Sequence, residues 1–279
     1  MSVRIIVDST ADLLPEIKER VKVVPLTVHF GDEEFVDGVT ITHEEFYKKL
    51  IEGDVLPRTS QANPAAFSEV FEEVVEAGDT AVVITVASKL SGTFQSAMIA
   101  AAEYPEQIYV VDSHTVAIAS GILAEYALGL ADEGKSAKEI FDCLLVERDN
   151  VCLYAALDTL EYLQKGGRIS KTAAIAGGVL NIKPVVSVKD GEILTLGKAR
   201  GTKGANKMLV SEVQGTSGVD FSKPLMFGFT GLSDELLQQF MEDSKEMWSE
   251  EGELRTTSIG SVVGTHAGPG AFAVAYFVK

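Results

Sequence analysis

The sequence predicts an α/β protein of two domains: a larger amino-terminal one with α/β/α layers on a parallel sheet, and a smaller carboxyl-terminal α/β domain. Three observations carry that expectation. Short β-rich runs alternate with helical patterns through the first 150 residues, and strands crowd the remainder. Charge divides the same way: residues 1–150 carry 11 basic and 27 acidic groups, whereas residues 151–279 carry 13 and 14. Alternation of strand and helix places helices over both faces of a parallel sheet, and the boundary between domains 1–150 and 151–279 falls near Asn150.

VRIIVDS opens the first domain as a strand, followed by VKVVPLTVHF, AVVITVA and IYVVDS, with helical patterns at Pro64 to Ala77 and Ala117 to Glu133. Gly31 to Gly38 reads as a hairpin excursion. Thr42 stands ahead of HEEFYKKLIE with Glu45 three residues on, the spacing at which a hydroxyl and a carboxylate satisfy each other's helix-terminal N–H groups. In the second half, helices are expected near Thr159 to Lys165 and, from small residues, near Lys171 to Val179. Strands are expected at PVVSV, LTLGKAR, LMFGFT, TTSIGSVV and AVAYFV. Thr256 to Val278 runs 23 residues without a formal charge, but its four glycines, Pro269, His266 and hydroxyls suit buried strands joined by a tight turn better than a helix in lipid.

Composition removes several function classes. With 46% hydrophobic residues in 279, the chain has apolar content for packed domains rather than disorder. A formal net charge of −17 argues against nucleic acid or an anionic membrane surface as partner, because phosphate binding needs a broad cationic face. Cys143 and Cys152 lack histidines at metal-ligand spacing and read as free thiols. MSVRIIVDST enters a strand pattern without the regions of a signal peptide, so the expected location is the cytoplasm and no stable membrane insertion is expected.

Chemistry-bearing residues gather where strands end. Asp8-Ser9-Thr10, Ser88 to Thr93 and Asp112-Ser113-His114 each follow a strand, and the carboxyl edge of a parallel sheet is where ligand crevices form. The second of these leads into FQSAMIAAAEY, which puts Ser91, Gly92 and Thr93 at a positive helix terminus. That arrangement serves either an anion site or ordinary capping. No strand is followed by the glycine pattern of a dinucleotide site and no GxxxxGK[ST] loop occurs, so NAD and ATP rank low as ligands. Ser91, His266 and Asp8 or Asp112 supply the residue types of a hydrolase triad, although KLSGT is not the GxSxG elbow. His266 lies in GTHAGPG between two expected strands; its flanking glycines favour a ligand site over a structural role. Arg168, after Gly166 and Gly167, is either a site residue or a surface turn, and Thr59-Ser60-Gln61 is either a loop or a helix lead-in. Lys165 to Lys207 holds nine basic residues against Asp190 and Glu192, either a solvated face or a docking surface for an anionic partner.

VDSTADL at the start, RTSQ at Arg58 to Gln61, LSGTFQSA at Leu90 to Ala97, VVDS at Val110 to Ser113 and LEYLQKGGRIS at Leu160 to Ser170 form an ordered series. It continues through IKPV at Ile182 to Val185 and KARG at Lys198 to Gly201 to the terminal GTHAGPGAFAVAYF. This series resembles the DegV family, whose best understood members are the fatty-acid-binding subunits of bacterial fatty acid kinase. The sequence departs from the family at Ala62, where proline commonly follows TSQ. The resemblance implies a long-chain fatty acid between the two domains, its carboxylate near Thr59, Ser91, Gly92, Thr93 and His266 with Arg168 close by. It also implies that Arg200 and Lys203 dock a separate kinase catalytic subunit, which forms an acyl phosphate from ATP for phospholipid synthesis. The chain would then be a non-catalytic subunit that needs no cofactor beyond its ligand. A Ser/His-dependent ester hydrolase and a lipid-sensing regulator without a kinase remain the alternatives. Ala173, Ala174, Ala176, Gly177 and Gly178 suit either an acyl tunnel or close helix packing.

Overall fold

In the computed structural model, which describes residues 2–169, 181–249 and 252–279, the first sheet is parallel. It comprises β1 (Val3–Asp8), β2 (Lys22–Val24), β6 (Thr80–Thr85) and β7 (Ile108–Asp112) in the order β2-β1-β6-β7. These strands are near-continuous apolar runs because helices cover both faces. Along β1, Ile5 and Val7 join one core while Ile6 joins the other. Helix α1 (Pro15–Lys18) links β1 to β2.

The expected strand VKVVPLTVHF divides in two. Pro25, which has no N–H to give a ladder, separates β2 from β3 (Thr27–Phe30). That strand turns away to pair with β4 (Glu33–Val36) and β5 (Arg58–Ser60) in a small antiparallel sheet. The hairpin expected at Gly31 to Gly38 is the β3–β4 connection, with Gly31 in the left-handed region. Helix α2 (His43–Glu52) carries the expected capping box, Thr42 accepting from the Glu45 N–H and Glu45 from the Thr42 N–H. RTSQ is neither loop nor helix lead-in: Arg58 to Ser60 form β5, and Asn63 caps α3 (Pro64–Glu76). Helices α4 (Thr93–Ala101), α5 (Ile118–Asp132) and α6 (Ala137–Glu147) complete this half.

From Val151 onward the strands belong to a six-stranded mixed sheet, ordered β10-β9-β8-β13-β11-β12. Its members are β8 (Val151–Ala156), β9 (Ile182–Lys189), β10 (Glu192–Arg200), β11 (Met226–Phe229), β12 (Thr256–Ser258) and β13 (Phe272–Phe277). Helix α7 (Glu161–Lys165) follows β8. The strand-rich reading leaves residues 201–214 and 235–243 unassigned, and both are helices, α8 (Gly201–Gln214) and α9 (Glu235–Asp243). They pack on the sheet's outer face around Phe227, Phe240, Trp248 and Tyr276. The helix expected at Lys171 to Val179 lies outside the described residues.

A larger correction concerns TTSIGSVV. Only Thr256–Ser258 is strand; after Gly260 the chain forms helix α10 (Ser261–Ala267), so the 256–278 stretch is strand, helix and strand. Val262 and Val263 suggest a strand by their β-branching. The helix forms because its first N–H groups find partners elsewhere, Gly260 N–H donating to Asp12 Oδ1 at 2.7 Å and Ser261 N–H to Asp37 Oδ1 at 3.3 Å. Among the described residues, no helix is long and apolar enough to cross a membrane.

Helix α5 binds the two halves together. Ile118, Ala119, Ile122 and Leu123 are all fully buried, and one core joins them to Ile5 and Val7 of β1 and to Met226, Ala275 and Phe277 of the second sheet. A Cβ on Gly121 would lie 2.2 Å from the backbone oxygen of Asp12, whereas one on Gly129 of the same helix would meet nothing within 4 Å. Helix propensity alone favours alanine at both positions by about 1 kcal/mol. Gly121→Ala is therefore expected to destabilise by about 1–3 kcal/mol through overpacking, and Gly129→Ala to stabilise by up to about 1 kcal/mol. Urea unfolding of the two variants checks the pair, and equal signs would contradict it.

Candidate ligand-binding site

A cavity of 410 Å³ lies between the carboxyl edge of the parallel sheet and the inner face of the six-stranded sheet, within the range of small-ligand sites. Alternation along the strands of the second sheet supplies one wall: Leu153 and Ala155 from β8, Val186 and Val188 from β9, and Ala271 and Ala273 around the start of β13. Val116 and Ala117 before α5 and Val262 and Val263 of α10 add further aliphatic surface. Polar side chains enter from Thr10, Thr59, Ser60, Gln61, Ser91, Arg168 and His266.

His266 sits in the last turn of α10 rather than in a turn between strands. Its Nε2 is 3.0 Å from Thr59 Oγ1 of β5. The imidazole fits because residue 166 is glycine; a Cβ there would lie 2.2 Å from His266 Nδ1. Gly268, at φ +72°, then ends the helix beneath the Tyr162 ring, which a Cβ would meet at 2.3 Å. Burial, reinforced by the Arg168 guanidinium, lowers the His266 pKa to about 4, so the ring is neutral at physiological pH.

Arg168 follows α7, where Gly167 takes a positive φ and turns the chain inward. Its Nε donates to Leu90 O at 3.1 Å and its Nη1 to Gly166 O at 2.6 Å. Two backbone carbonyls thus fix a cation on the cavity wall, directly beside the Ser91 loop. Ser91 Oγ faces the cavity and is 2.9 Å from Thr93 Oγ1. Gly92 lines the cavity too; a Cβ on it would strike the Gln61 amide, whose Nε2 donates to Ser96 Oγ. Four segments distant in sequence therefore bring a guanidinium, a neutral imidazole and several hydroxyls together on the wall of a largely aliphatic chamber.

Not every expected site residue arrives. Thr93 is fully buried and absent from the lining, its hydroxyl turned to Ser91, because the first turn of α4 packs into the sheet. Asp112, Ser113 and His114 also stand apart from the cavity: Asp112 Oδ1 accepts from the Ser88 and His114 N–H groups, organising the loops behind it. Arg200 and Lys203 are exposed at the β10–α8 junction. Of the basic cluster, Lys165 pairs with Glu161 and Lys183 with Asp158. Thr10 and Gln61 line the cavity although the sequence reading gives them no separate role. Both adjoin motifs that it does single out.

The triad reading loses its geometry. Ser91 bonds Thr93 and His266 bonds Thr59, so nucleophile and base do not meet. Asp8 spends its carboxylate on Thr10 and on the Val86 N–H. His266 Nδ1, where a triad acid would sit, has no hydrogen-bond partner among the described residues. No group of three or more His, Cys, Asp or Glu among the described residues is arranged to hold a metal ion, and Cys143 and Cys152 are free and half-buried.

The depressed pKa of His266 makes stability depend on pH. The unfolded chain takes up the proton near pH 6.5 and the folded one only near 4. The stabilisation from the neutral ring is therefore complete above about pH 6.5 and is lost as pH falls toward 4, by up to about 3 kcal/mol. Asp8 and Asp12, whose pKa values burial raises, act in the opposite sense, so a variant supplies the comparison. Between pH 7 and 4.5, wild type should lose about 2 kcal/mol more than His266→Gln in chemical denaturation; parallel losses would show a ring that titrates freely.

The matches with known proteins agree with this architecture. A family model described as "Uncharacterised protein, DegV family" matches residues 2–279. A DegV domain-containing protein of Caldanaerobacter subterraneus subsp. tengcongensis is 35% identical over 99% of each chain. A solved structure from Thermus thermophilus, described as fatty acid binding of a DegV family protein, superposes with a TM-score of 0.88 at 31% identity, covering 100% of both chains. A stearic acid-binding protein from Eubacterium ventriosum gives a TM-score of 0.85 at 28% identity over 100% of this chain and 99% of that one. With its full length matched by the family model and by a relative at this identity, the chain belongs to the DegV family.

Proposed function

We propose that this chain binds one long-chain fatty acid between its 1–150 and 151–279 halves and presents the carboxylate to a separate kinase, which transfers phosphoryl from ATP to give an acyl phosphate. The observation that carries the reading is the make-up of the cavity: largely aliphatic walls into which the fixed Arg168 cation, Thr59, Ser91 and His266 come from neighbouring segments. The relatives from Thermus thermophilus and Eubacterium ventriosum, described as binding a fatty acid and stearic acid, support it.

The energetics suit an amphiphile. Burying about fourteen methylenes at ~0.8 kcal/mol each gives a gross gain on the order of 11 kcal/mol before the costs of association. A carboxylate drawn from water costs several kcal/mol unless donors meet it. The Thr59 and Ser91 hydroxyls would meet it, with Arg168 balancing its charge. With its proton on Nε2, neutral His266 would donate to Thr59 Oγ1 and leave the Thr59 proton free to point at the ligand. As the kinase's phosphoryl group approaches, Arg168 and His266 steady the charge on the head group and contribute no bond of their own. The exposed Arg200 and Lys203 give that partner a cationic landing point on an otherwise acidic molecule.

Denaturing extraction of the purified protein should release about one fatty acid per chain, identified by mass spectrometry. Thr59→Val and Ser91→Ala should each weaken retention about tenfold. With a fatty acid kinase catalytic subunit and ATP, hydroxylamine should trap the acyl phosphate, and Arg200→Glu should reduce its formation while leaving fatty-acid binding intact. Normal lipid binding without any trapped product would favour the lipid-sensing reading, and no lipid at all would defeat both.

A further inference from the structure

Helix α10 carries His266 at one end, and its start is held by side chains of the amino-terminal half, while the Ile259 N–H just before it donates to Phe229 O at 2.8 Å within the second sheet. Gly260 N–H donates to Asp12 Oδ1 at 2.7 Å, Ser261 N–H to Asp37 Oδ1 at 3.3 Å, and Tyr47 OH to the Ile259 carbonyl at 2.9 Å. None of Asp12, Asp37 and Tyr47 lines the ligand cavity. Asp12 is 5% exposed, and its Oδ2 has no hydrogen-bond partner among the described residues. Such burial is costly for a carboxylate. A serine or threonine could cap a helix without that cost, so the fold retains the acid for its reach.

The surroundings leave α10 little freedom at this end. A Cβ on Gly260 would sit 3.1 Å from His43 Nε2 and 3.2 Å from Asp12 Oδ1, and one on Gly264 would strike the Tyr47 hydroxyl at 2.5 Å and the Phe46 ring at 2.9 Å. At the other end of α10, His266 makes one hydrogen bond, to Thr59, and lines the cavity. A helix of seven residues moves as one body, so a shift at Gly260 carries to His266.

We propose that Asp12, assisted by Asp37 and Tyr47, is a positioning residue of the head-group site: by fixing the start of α10 it sets His266 against Thr59 without touching the ligand. This rests on the fatty-acid reading for its ligand and on the hydrogen-bond geometry for its mechanism. Val262 and Val263 of α10 line the aliphatic wall as well, but non-directional apolar contacts tolerate a small shift better than the His266–Thr59 hydrogen bond does, so Asp12 acts mainly on the polar groups of the cavity. Burial, with Asp37 and Asp8 nearby, holds its carboxyl well above the usual range, and in either protonation state Oδ1 offers the Gly260 N–H an acceptor.

The test uses purified full-length protein stripped of lipid, with palmitate and 1-hexadecanol as probes that share a chain but not a carboxylate. Asp12→Ala should weaken palmitate binding about tenfold and leave hexadecanol within about twofold, and Asp12→Asn, which keeps the acceptor, should restore palmitate to within about threefold of wild type. Tyr47→Phe should show the same selectivity more mildly, which covers the case in which Asp12→Ala does not fold. In the ligand-free protein, NMR titration of His266 should move up from its depressed value in Asp12→Ala or Tyr47→Phe. Equal loss for both probes, no loss for either, or an unmoved His266 titration overturns the proposal. If wild type binds neither probe, the fatty-acid reading fails while the His266 titration still decides the positioning.

Discussion

Burial of α5 between two sheets is the constraint on which the rest of the molecule depends. Ile118 to Ala124 of α5 are buried without a break, a helical stretch with no stable place at a surface, and one core joins it both to the parallel sheet and to β11 and β13. The contact is close: Gly121 admits the Asp12 carbonyl, and Gly228 of β11 admits Ile118, whose Cγ2 a Cβ would meet at 2.9 Å. The two sheets are thus fixed about one helix apart. Ahead of the first turn of α5, the spacing persists without a helix to fill it, and the cavity opens at Val116 and Ala117.

The same spacing explains the electrostatics of the site. Between two apolar sheets a charge is costly unless it is held by dipoles, and Arg168 meets that requirement through the carbonyls of Leu90 and Gly166. A second cation beside it would be repelled, and His266 accordingly remains neutral. Among the described residues the chamber offers one positive charge and several donors, a match for a single carboxylate and a poor one for a phosphate of higher charge. The overall −17 charge of the chain does not oppose this, because the local field at a buried site is set by its nearest groups.

The legible part of the sequence was local. Apolar runs marked β1, β6 and β7, and Thr42 with Glu45 marked the start of α2 by spacing alone. Thr59, Ser91, Gly92, Arg168 and His266, taken from four separate motifs, line one cavity. What escaped were interactions between distant residues. Helix α10 looked like a strand because Val262 and Val263 carry β-branched side chains, while the acceptor that stabilises its start, Asp12, is 248 residues away from Gly260. Thr93 has the residue type for an anion site, but only packing reveals that it is fully buried with its hydroxyl on Ser91. The small residues from Ala173 to Gly178 lie outside the described residues and leave the acyl tunnel as sequence had it.

Serine and histidine in one cavity invite a nucleophilic reading, and the hydrogen-bond directions argue for a different use. A base must take the proton of its nucleophile, so its lone pair faces that hydroxyl and a carboxylate steadies the opposite nitrogen. Here His266 faces Thr59, its Nδ1 lies against Gly166, and the nearby fixed charge is a cation that disfavours protonation. An imidazole held neutral beside a guanidinium is poorly placed to accept a proton and well placed to donate a hydrogen bond through Thr59. Both features lower the free energy of a bound anion and neither lowers the barrier to attack by Ser91. The arrangement is therefore better suited to holding an anion than to activating Ser91.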